Sequence, residues 1–319
     1  FSNKVIYNNF NNLIKTIKKK DGSLDIKETH KIFKIWNKNK EILIKKVKLR
    51  IKDFDLIISD SVPHAIYAAS DLNIKVLNIS HFTWDWFYLK TFGYDKIYKE
   101  LQLYYNKATK FIFPPLTEKF LLNKYKKKII RINFIITDSF IKKDYFRNNK
   151  KKTCIIMDNG SKVLSKKILK ILNYLHEFND LNFIICGNSF NFKTIKQIKK
   201  IKHFKIEKNL KKIHKYISSS EFLIARGGYN TITECLILKK PTLLYKEIKN
   251  IEVKKNVDQL LKLKLTKSIN DDFFTQKFKR SFQKFLNYDY YSIKKRFKRF
   301  KFKSNGSEQV TKIILSCIS

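Results

Sequence analysis

Residues 221–245 read EFLIARGGYNTITECLILKKPTLLY, and their pattern decides the fold. Glu221 to Ala225 is a short apolar run of the kind that makes a buried strand. Arg226-Gly227-Gly228 is a tight turn. Asn230 or Thr231 is placed to cap a helix, and Glu234 falls within its first turns. Lys239 and Lys240 stand at the helix end, where cations suit the macrodipole, and Pro241 stops it. Thr242 to Tyr245 is the next strand. Such a unit sets backbone N–H groups and the positive end of a helix beside the carboxyl end of a strand. Open α/β sheets bind anionic ligands there, phosphates above all.

The same alternation runs outward in both directions. Upstream, Thr153–Met157 reads as a strand, Asp158-Asn159-Gly160-Ser161 as a turn and 162–178 as a helix. Strands follow at Asn182–Cys186 and Phe204–Glu207, with helices at 192–202 and 210–218. Downstream, helical patterns cover 252–263, 271–285, 291–300 and 308–317. In the first half, Leu24–Arg50 is helical with Asp25 as its cap. Phe54–Ser59, His64–Leu72 and Lys75–Ile79 then make strand, helix and strand, a βαβ unit with a parallel sheet. Ser80 to Tyr88 reads as an aromatic loop, in which Trp84 and Trp86 either wall a ligand site or close the core. Asp95–Ala108 is a helix, Phe111–Phe113 a strand, and Arg131–Ile136 the last strand-like run. The expected class is α/β, with two Rossmann-like domains in tandem. The expected boundaries are 1–140, a polar linker at 141–152, a second domain at 153–303, and a closing segment at 304–319 that returns towards the first.

Composition narrows the choice. A chain of 319 residues suits two domains, and 43% apolar content excludes a disordered chain. No run of 18 or more apolar residues is present, and no signal peptide is visible. The chain begins at Phe1, which reads as a fragment or a processed product. The net charge of +42 suggests nucleic acid or an anionic membrane surface as partner. However, only seven of the 69 basic residues are Arg, and base recognition is better served by Arg than by scattered Lys. Lys, Ile, Asn, Phe and Tyr are abundant while Ala, Gly and Pro are scarce, as an A/T-rich genome would produce. Nucleic acid is therefore not the expected partner. Cys154, Cys186, Cys235 and Cys317 have no metal-ligand spacing and read as free thiols in a reducing compartment, hence a cytoplasmic protein.

Neither GxGxxG nor a P-loop is present. Gly turns after two strands, at Gly160 and at Gly227-Gly228, nonetheless suggest a nucleotide site. RGGYNTITECLILKKPTLLY with NIEVKKNV resembles the donor-binding segment of GT-B glycosyltransferases of the MurG type, related to the transferase that uses UDP-N-acetylglucosamine in peptidoglycan synthesis. By position, the resemblance implies that Gly227, Gly228, Asn230 and Thr231 meet a diphosphate, with Arg226 as help, and that Glu234 holds the ribose hydroxyls. Glu252 and Asn256 match the acidic residue and Asn of a later helix, and Gly160-Ser161 the first Gly turn of the donor domain. GSEQVTKIIL resembles the helix that closes the fold.

DLIISDSVPHAIYAASDLNIKVLNISHFTWDWFY resembles the front domain of a less characterised branch, matching at Asp60, Pro63, His81, Trp84 and Asp85. The resemblance puts Asp60 and Trp84 on the acceptor side and offers His81 or Asp85 as general base. It also departs from the family pattern. Val253 stands where a Gln is expected, and the Gly-rich loop with its catalytic His would precede Phe1, leaving the first domain incomplete. The implied activity is transfer of a sugar from a nucleotide-diphosphate sugar, UDP-linked, to an acceptor hydroxyl, lipid-linked or of the cell envelope. No cofactor or metal is expected, and peripheral contact with the inner membrane face is compatible. A nucleotide-sugar hydrolase of related fold and a basic binding protein without activity are the rival expectations.

Overall fold

The computed structural model describes residues 14–137, 151–157, 162–187, 195–196, 198, 202–208 and 213–318. It divides into two units. One comprises residues 1–17, 24–132 and 308–319, the other residues 18–23 and 133–307.

Asp25 opens the first long helix, accepting a hydrogen bond from the Glu28 backbone N–H at 3.0 Å. Helix α1 (Ile26–Ile51) buries Phe33, Trp36, Ile44 and Val47 along one face, the spacing of an amphipathic helix. The remaining elements of this unit are β1 (Leu56–Ser59), α2 (Pro63–Asp71), β2 (Lys75–Ile79), α3 (Trp84–Phe92), α4 (Lys96–Asn106), β3 (Lys110–Phe113), α5 (Lys119–Lys124) and β4 (Ile129–Arg131). Pro63 starts α2, where a missing N–H costs nothing. The four strands form a parallel sheet in the order β1-β2-β3-β4.

Two expectations change here. The aromatic segment is a loop only to Thr83; from Trp84 it is helical. The last strand is Ile129–Arg131, not Arg131–Ile136: Phe111 pairs with Ile129, and Ile135 makes only an isolated bridge to Asn305. An edge strand pairs on one side and needs no long apolar run, so Ile132 is left to pack beneath the sheet with Leu77 and Ile112.

The second unit contains β5 (Lys152–Met157), α6 (Val163–Leu175), β6 (Leu181–Cys186), β7 (Phe204–Glu207), α7 (Ile213–Ser219), β8 (Phe222–Arg226), α8 (Tyr229–Ile237), β9 (Thr242–Tyr245), α9 (Ile251–Lys262), β10 (Lys267–Ile269), α10 (Phe278–Lys284) and α11 (Tyr290–Phe297). Its six strands are parallel in the order β10-β9-β8-β5-β6-β7. β5 and β8 are buried almost throughout, as expected for a sheet covered on both faces. The helix expected at 271–285 is instead a 3₁₀ turn at Asp271–Phe274, then α10, then a π turn at Phe285–Asp289 leading into α11.

The chain closes with α12 (Gly306–Ile318). Its residues Val310, Ile313, Ile314 and Cys317 pack against the Leu77, Ile112 and Ile132 cluster of the first unit. Gly306 donates its N–H to the Phe134 carbonyl at 3.0 Å, and a Cβ there would meet the same oxygen at 2.7 Å, so the helix start has room only for Gly. All four cysteines are free, three of them buried. Among the described residues no helix is long and apolar enough to cross a membrane. The expected linker at 141–152 lies outside the described residues except for its last two.

Candidate functional site

In the six-stranded sheet the order turns back at one place. From β5 the chain proceeds outward through β6 and β7, then returns so that β8, β9 and β10 extend the other side. Crevices at such a switch point, outside the strand carboxyl ends, are where open α/β sheets take ligands. The paired residues Met157 and Ala225 mark that end, and Arg226-Gly227-Gly228 follows directly. Gly160 and Ser161, expected beside them, lie outside the described residues.

The turn is built by its neighbours. Gly227 donates to the Tyr245 carbonyl at 3.4 Å, and Gly228 to the Arg226 carbonyl at 2.8 Å. A Cβ on Gly227 would overlap the Val257 Cγ2 methyl, so Gly here allows α9 to approach the strand end. Gly228, not Asn230 or Thr231, is the N-cap of α8, and no side chain caps it. The first intrahelical bond runs from Ile232 N–H to the Gly228 carbonyl, so the N–H groups of Tyr229, Asn230 and Thr231 lie ahead of the ladder. Asn230 is exposed and Thr231 half-buried. This is an anion-ready helix start.

Charges flank it. Arg226 donates through Nε to Glu247 at 2.8 Å, and Glu247 is only 4% exposed. The guanidinium lies over the turn, with Nη1 4.0 Å from where a Gly228 Cβ would stand. Asn250 caps α9 by accepting from Val253 N–H at 3.3 Å. That capping fixes Glu252 in the first turn of α9 and Asn256 one turn on. Asn256 is fully buried; its Nδ2 donates to the Gly227 carbonyl at 3.3 Å and to Glu252 Oε1 at 3.2 Å. Its Oδ1 has no hydrogen-bond partner among the described residues. Such a buried acceptor is costly unless a donor arrives.

Glu234 projects from α8. Its carboxylate has no hydrogen bond or ion pair among the described residues, and burial pushes its pKa up to about 7. Lys240, expected to serve the helix macrodipole, is buried and instead donates to the Ser218 and Ser220 carbonyls, both at 2.6 Å.

The first unit places its own candidates at the carboxyl ends of β1 and β2. Asp60 is exposed; partial desolvation lifts its carboxyl above the usual range, and His81 opposes the shift. Next to it Ser61 holds a left-handed φ of 56°, fixed by its N–H to Asn78 Oδ1, its Oγ to the Phe82 carbonyl, and Tyr105 Oη donating to its carbonyl. Trp84 is half-buried in an aromatic cluster, 5.2 Å from Phe82, 5.4 Å from Phe87 and 5.8 Å from Phe33. Asp85 is fully buried, with Oδ2 bonded to Lys124 Nζ at 2.5 Å and Tyr125 Oη at 2.9 Å. Oδ2 thereby ties α3 to the end of α5, while Oδ1 has no hydrogen-bond partner among the described residues.

One residue beside the turn escapes the sequence reading. Glu247, which holds Arg226, follows β9 in a stretch with no motif. Only the rarity of acidic residues could have marked Glu247.

Residues 159–276 match the glycosyltransferase family 28 C-terminal domain. The fold is GT-B. The chain superposes on the calicheamicin glycosyltransferase CalG4 with a TM-score of 0.63 at 8% identity, covering 89% of this chain and 77% of that one. MurG of Acinetobacter baumannii gives 0.59 at 13% identity, covering 87% and 78%. A UDP-N-acetylglucosamine 2-epimerase gives 0.56 at 12% identity, covering 90% and 76%. No curated protein matches the chain in sequence. The matched segment spans the Gly turn, Glu234, Glu247 and α9.

Proposed function

We propose that the protein transfers a sugar from a UDP-sugar to an acceptor hydroxyl. The observation that carries this is Glu234. A desolvated carboxylate without a hydrogen-bond or ion-pair partner among the described residues, on the helix that begins at the Gly-Gly turn, suits two ribose hydroxyls that donate to it. The N–H groups at the start of α8 and the Arg226 guanidinium then take the diphosphate, and Asn256 Oδ1 is an acceptor for a sugar hydroxyl. In this reading amides and cations, not a metal, stabilise the departing diphosphate. His81 is the candidate base for the acceptor hydroxyl, with Asp60 beside it. Calorimetric titration with UDP tests the donor site. Glu234→Ala should weaken UDP by tenfold or more, about the loss of charge-assisted hydrogen bonds. Equal affinity in a folded Glu234→Ala protein would remove the assignment. Because an epimerase shares the fold, the activity assay must identify products with and without hydroxyl acceptors.

A contact with the cytoplasmic face of a membrane belongs to the same proposal. The outer face of α1 exposes Ile35, Ile42 and Leu49 (47%, 54% and 75%) among Lys31, Lys34, Lys38, Lys45, Lys46 and Arg50. An apolar stripe within lysines fits an anionic lipid surface. Sedimentation with phosphatidylserine vesicles should exceed that with phosphatidylcholine vesicles, and Leu49→Asp should reduce it; equal sedimentation would exclude the contact.

A further inference from the structure

Asp60 and His81 sit in turns that serine side chains close. After β1, the Ser59 hydroxyl oxygen accepts from the Val62 N–H at 3.0 Å, which bends the chain around Asp60. After β2, the Ser80 hydroxyl oxygen accepts from the Phe82 N–H at 3.2 Å, which bends it around His81. Serine hydroxyls placed in this way stand in for the backbone bond of a turn.

The two turns are also tied to each other. Strands β1 and β2 are parallel neighbours, with Ser59 opposite Asn78. Ser61 stands at φ 56°, a conformation that persists in a residue other than Gly only where the surroundings over-determine it. They do so here. Its N–H donates to the Oδ1 of the fully buried Asn78 at 3.3 Å, its Oγ donates to the Phe82 carbonyl at 3.1 Å, and its carbonyl accepts from Tyr105 Oη at 3.2 Å. The same Tyr105 oxygen accepts from the Trp84 N–H at 3.2 Å. Trp84 begins α3, so its N–H is one that the helix itself cannot satisfy. Residues 80–84, which carry His81, are therefore pinned at both ends: Ser80 N–H donates to the Ile112 carbonyl at 3.3 Å, and Trp84 is held by Tyr105. Tyr105 is fully buried on α4, and that burial raises its pKa well above the ordinary phenol value, so it keeps the proton it donates to Ser61.

We infer that Tyr105 is a positioning residue of the acceptor side, whose hydroxyl locks the turns carrying Asp60 and His81 in one register. This rests on the reading of those two residues as the groups that meet the acceptor hydroxyl. In that transfer the acceptor oxygen bonds to the anomeric carbon as its proton passes to His81. The bond from that carbon to the β-phosphate oxygen breaks, and UDP leaves with the electron pair. Tyr105 exchanges no proton and acts only through the turns. A base works only within hydrogen-bond reach of the proton it takes, and a misplacement of about 1 Å costs about a hundredfold.

Two measurements on Tyr105→Phe, Ser61→Gly, Ser61→Val and the exposed control Tyr94→Phe test the inference. Hydrogen exchange read by mass spectrometry needs no substrate. In Tyr105→Phe, peptides covering 59–63 and 80–86 should exchange about tenfold faster, as two lost hydrogen bonds allow, while those of the six-stranded sheet keep the wild-type rate. Turnover is read as UDP release from UDP-N-acetylglucosamine, UDP-glucose and UDP-galactose, with octyl glucoside as hydroxyl acceptor and with water alone. In Tyr105→Phe, kcat should fall about ten- to hundredfold at an unchanged calorimetric affinity for UDP, whose cradle is built from second-unit residues; Tyr94→Phe should match wild type. Ser61→Gly keeps the left-handed backbone and both main-chain bonds, so it should lose less than Ser61→Val, whose branched side chain strains them. Unchanged exchange at both turns in Tyr105→Phe would overturn the inference. Faster exchange with wild-type kcat would overturn it too, leaving the hydroxyl a role in the fold alone. A wild type that releases UDP from none of the donors would instead refute the transferase reading, with the exchange rates still deciding whether Tyr105 locks the turns.

Discussion

Gly227 is the place where one atom sets the geometry of the cradle. Its φ is not in the left-handed region, so Ala fits the backbone and even removes some unfolded-state entropy, about 0.4–1 kcal/mol in its favour. The obstacle is packing alone: the new Cβ would overlap Val257 Cγ2, and Val257 is fully buried. Overpacking of that kind costs about 1–3 kcal/mol, for a net loss of about 1–2 in Gly227→Ala. Val257→Ala removes two buried methyl groups at about 0.8 kcal/mol each and leaves a small cavity, for about 2 in all. In the double variant the methyl group added at position 227 occupies the space that the valine methyl vacated. The two losses should then fall short of their sum by about 1–2 kcal/mol. Urea unfolding followed by far-UV circular dichroism measures this. Tryptophan fluorescence would not, because Trp36, Trp84 and Trp86 all lie in the first unit. UDP affinity should fall in Gly227→Ala, since Asn256 and Glu252 move with α9, and return in the double variant. Additivity within about 0.5 kcal/mol would refute the reasoning, for it would mean that the two sites do not touch.

Three titratable groups supply further tests. Glu234, raised to about 7, must be ionised to accept two hydroxyl bonds. UDP affinity should therefore climb as pH rises towards 7 and level off above it, with proton release visible in buffers of different ionisation enthalpy, while Glu234→Gln shows no such climb. His64 is buried with Trp36 Nε1 donating to its Nδ1 at 3.4 Å, and burial lowers its pKa to about 4. A base with a depressed folded pKa binds fewer protons when folded. Its contribution is complete above about 6.5 and is lost as pH falls towards 4, by about 3 kcal/mol. Trp36 fluorescence in urea should show this loss, and His64→Gln should flatten it. Asp85→Ala should destabilise the first unit by about 3 kcal/mol by stranding Lys124 and Tyr125. If Asp85→Ala left the unfolding midpoint unchanged but abolished turnover, the structural assignment of Asp85 would be wrong.

The parts legible in the sequence are those where one local pattern dictates one local structure. The apolar runs of β5, β6, β8 and β9 announce a covered parallel sheet, and the Gly-Gly pair announces the turn between β8 and α8. Asp25 is readable as a cap because its bond is to a residue three positions on. Reading fails where distant residues decide. Ser80–Tyr88 resembles a loop because so many aromatic residues in a row conceal the helical period that begins at Trp84; the face that meets Phe33 selects the helix. β10 is three residues at an edge, with two of them exposed, and nothing local distinguishes it from a turn. The cap of α8 is easily misplaced because Asn230 and Thr231 are good cap residues in isolation, whereas Gly228 enters the helix directly. The settings of Glu247 and Asp85 are invisible for the same reason: each owes them to partners elsewhere in the chain.

Charge composition sharpens that distinction. With 27 acidic residues against 69 basic ones, almost any surface carboxylate could find a lysine, so an ion pair by itself says little. The informative carboxylates are those placed where a lysine-rich surface does not account for them. Asp25 and Asp95 cap helices, and Asp85 holds α3 to α5. Glu247 is buried against one of the few arginines. Glu234 stands apart from all of these, because it has desolvation without compensation. In a chain with so much positive charge available, a half-buried carboxylate with no ion pair among the described residues is what the proposed ribose contact at Glu234 rests on.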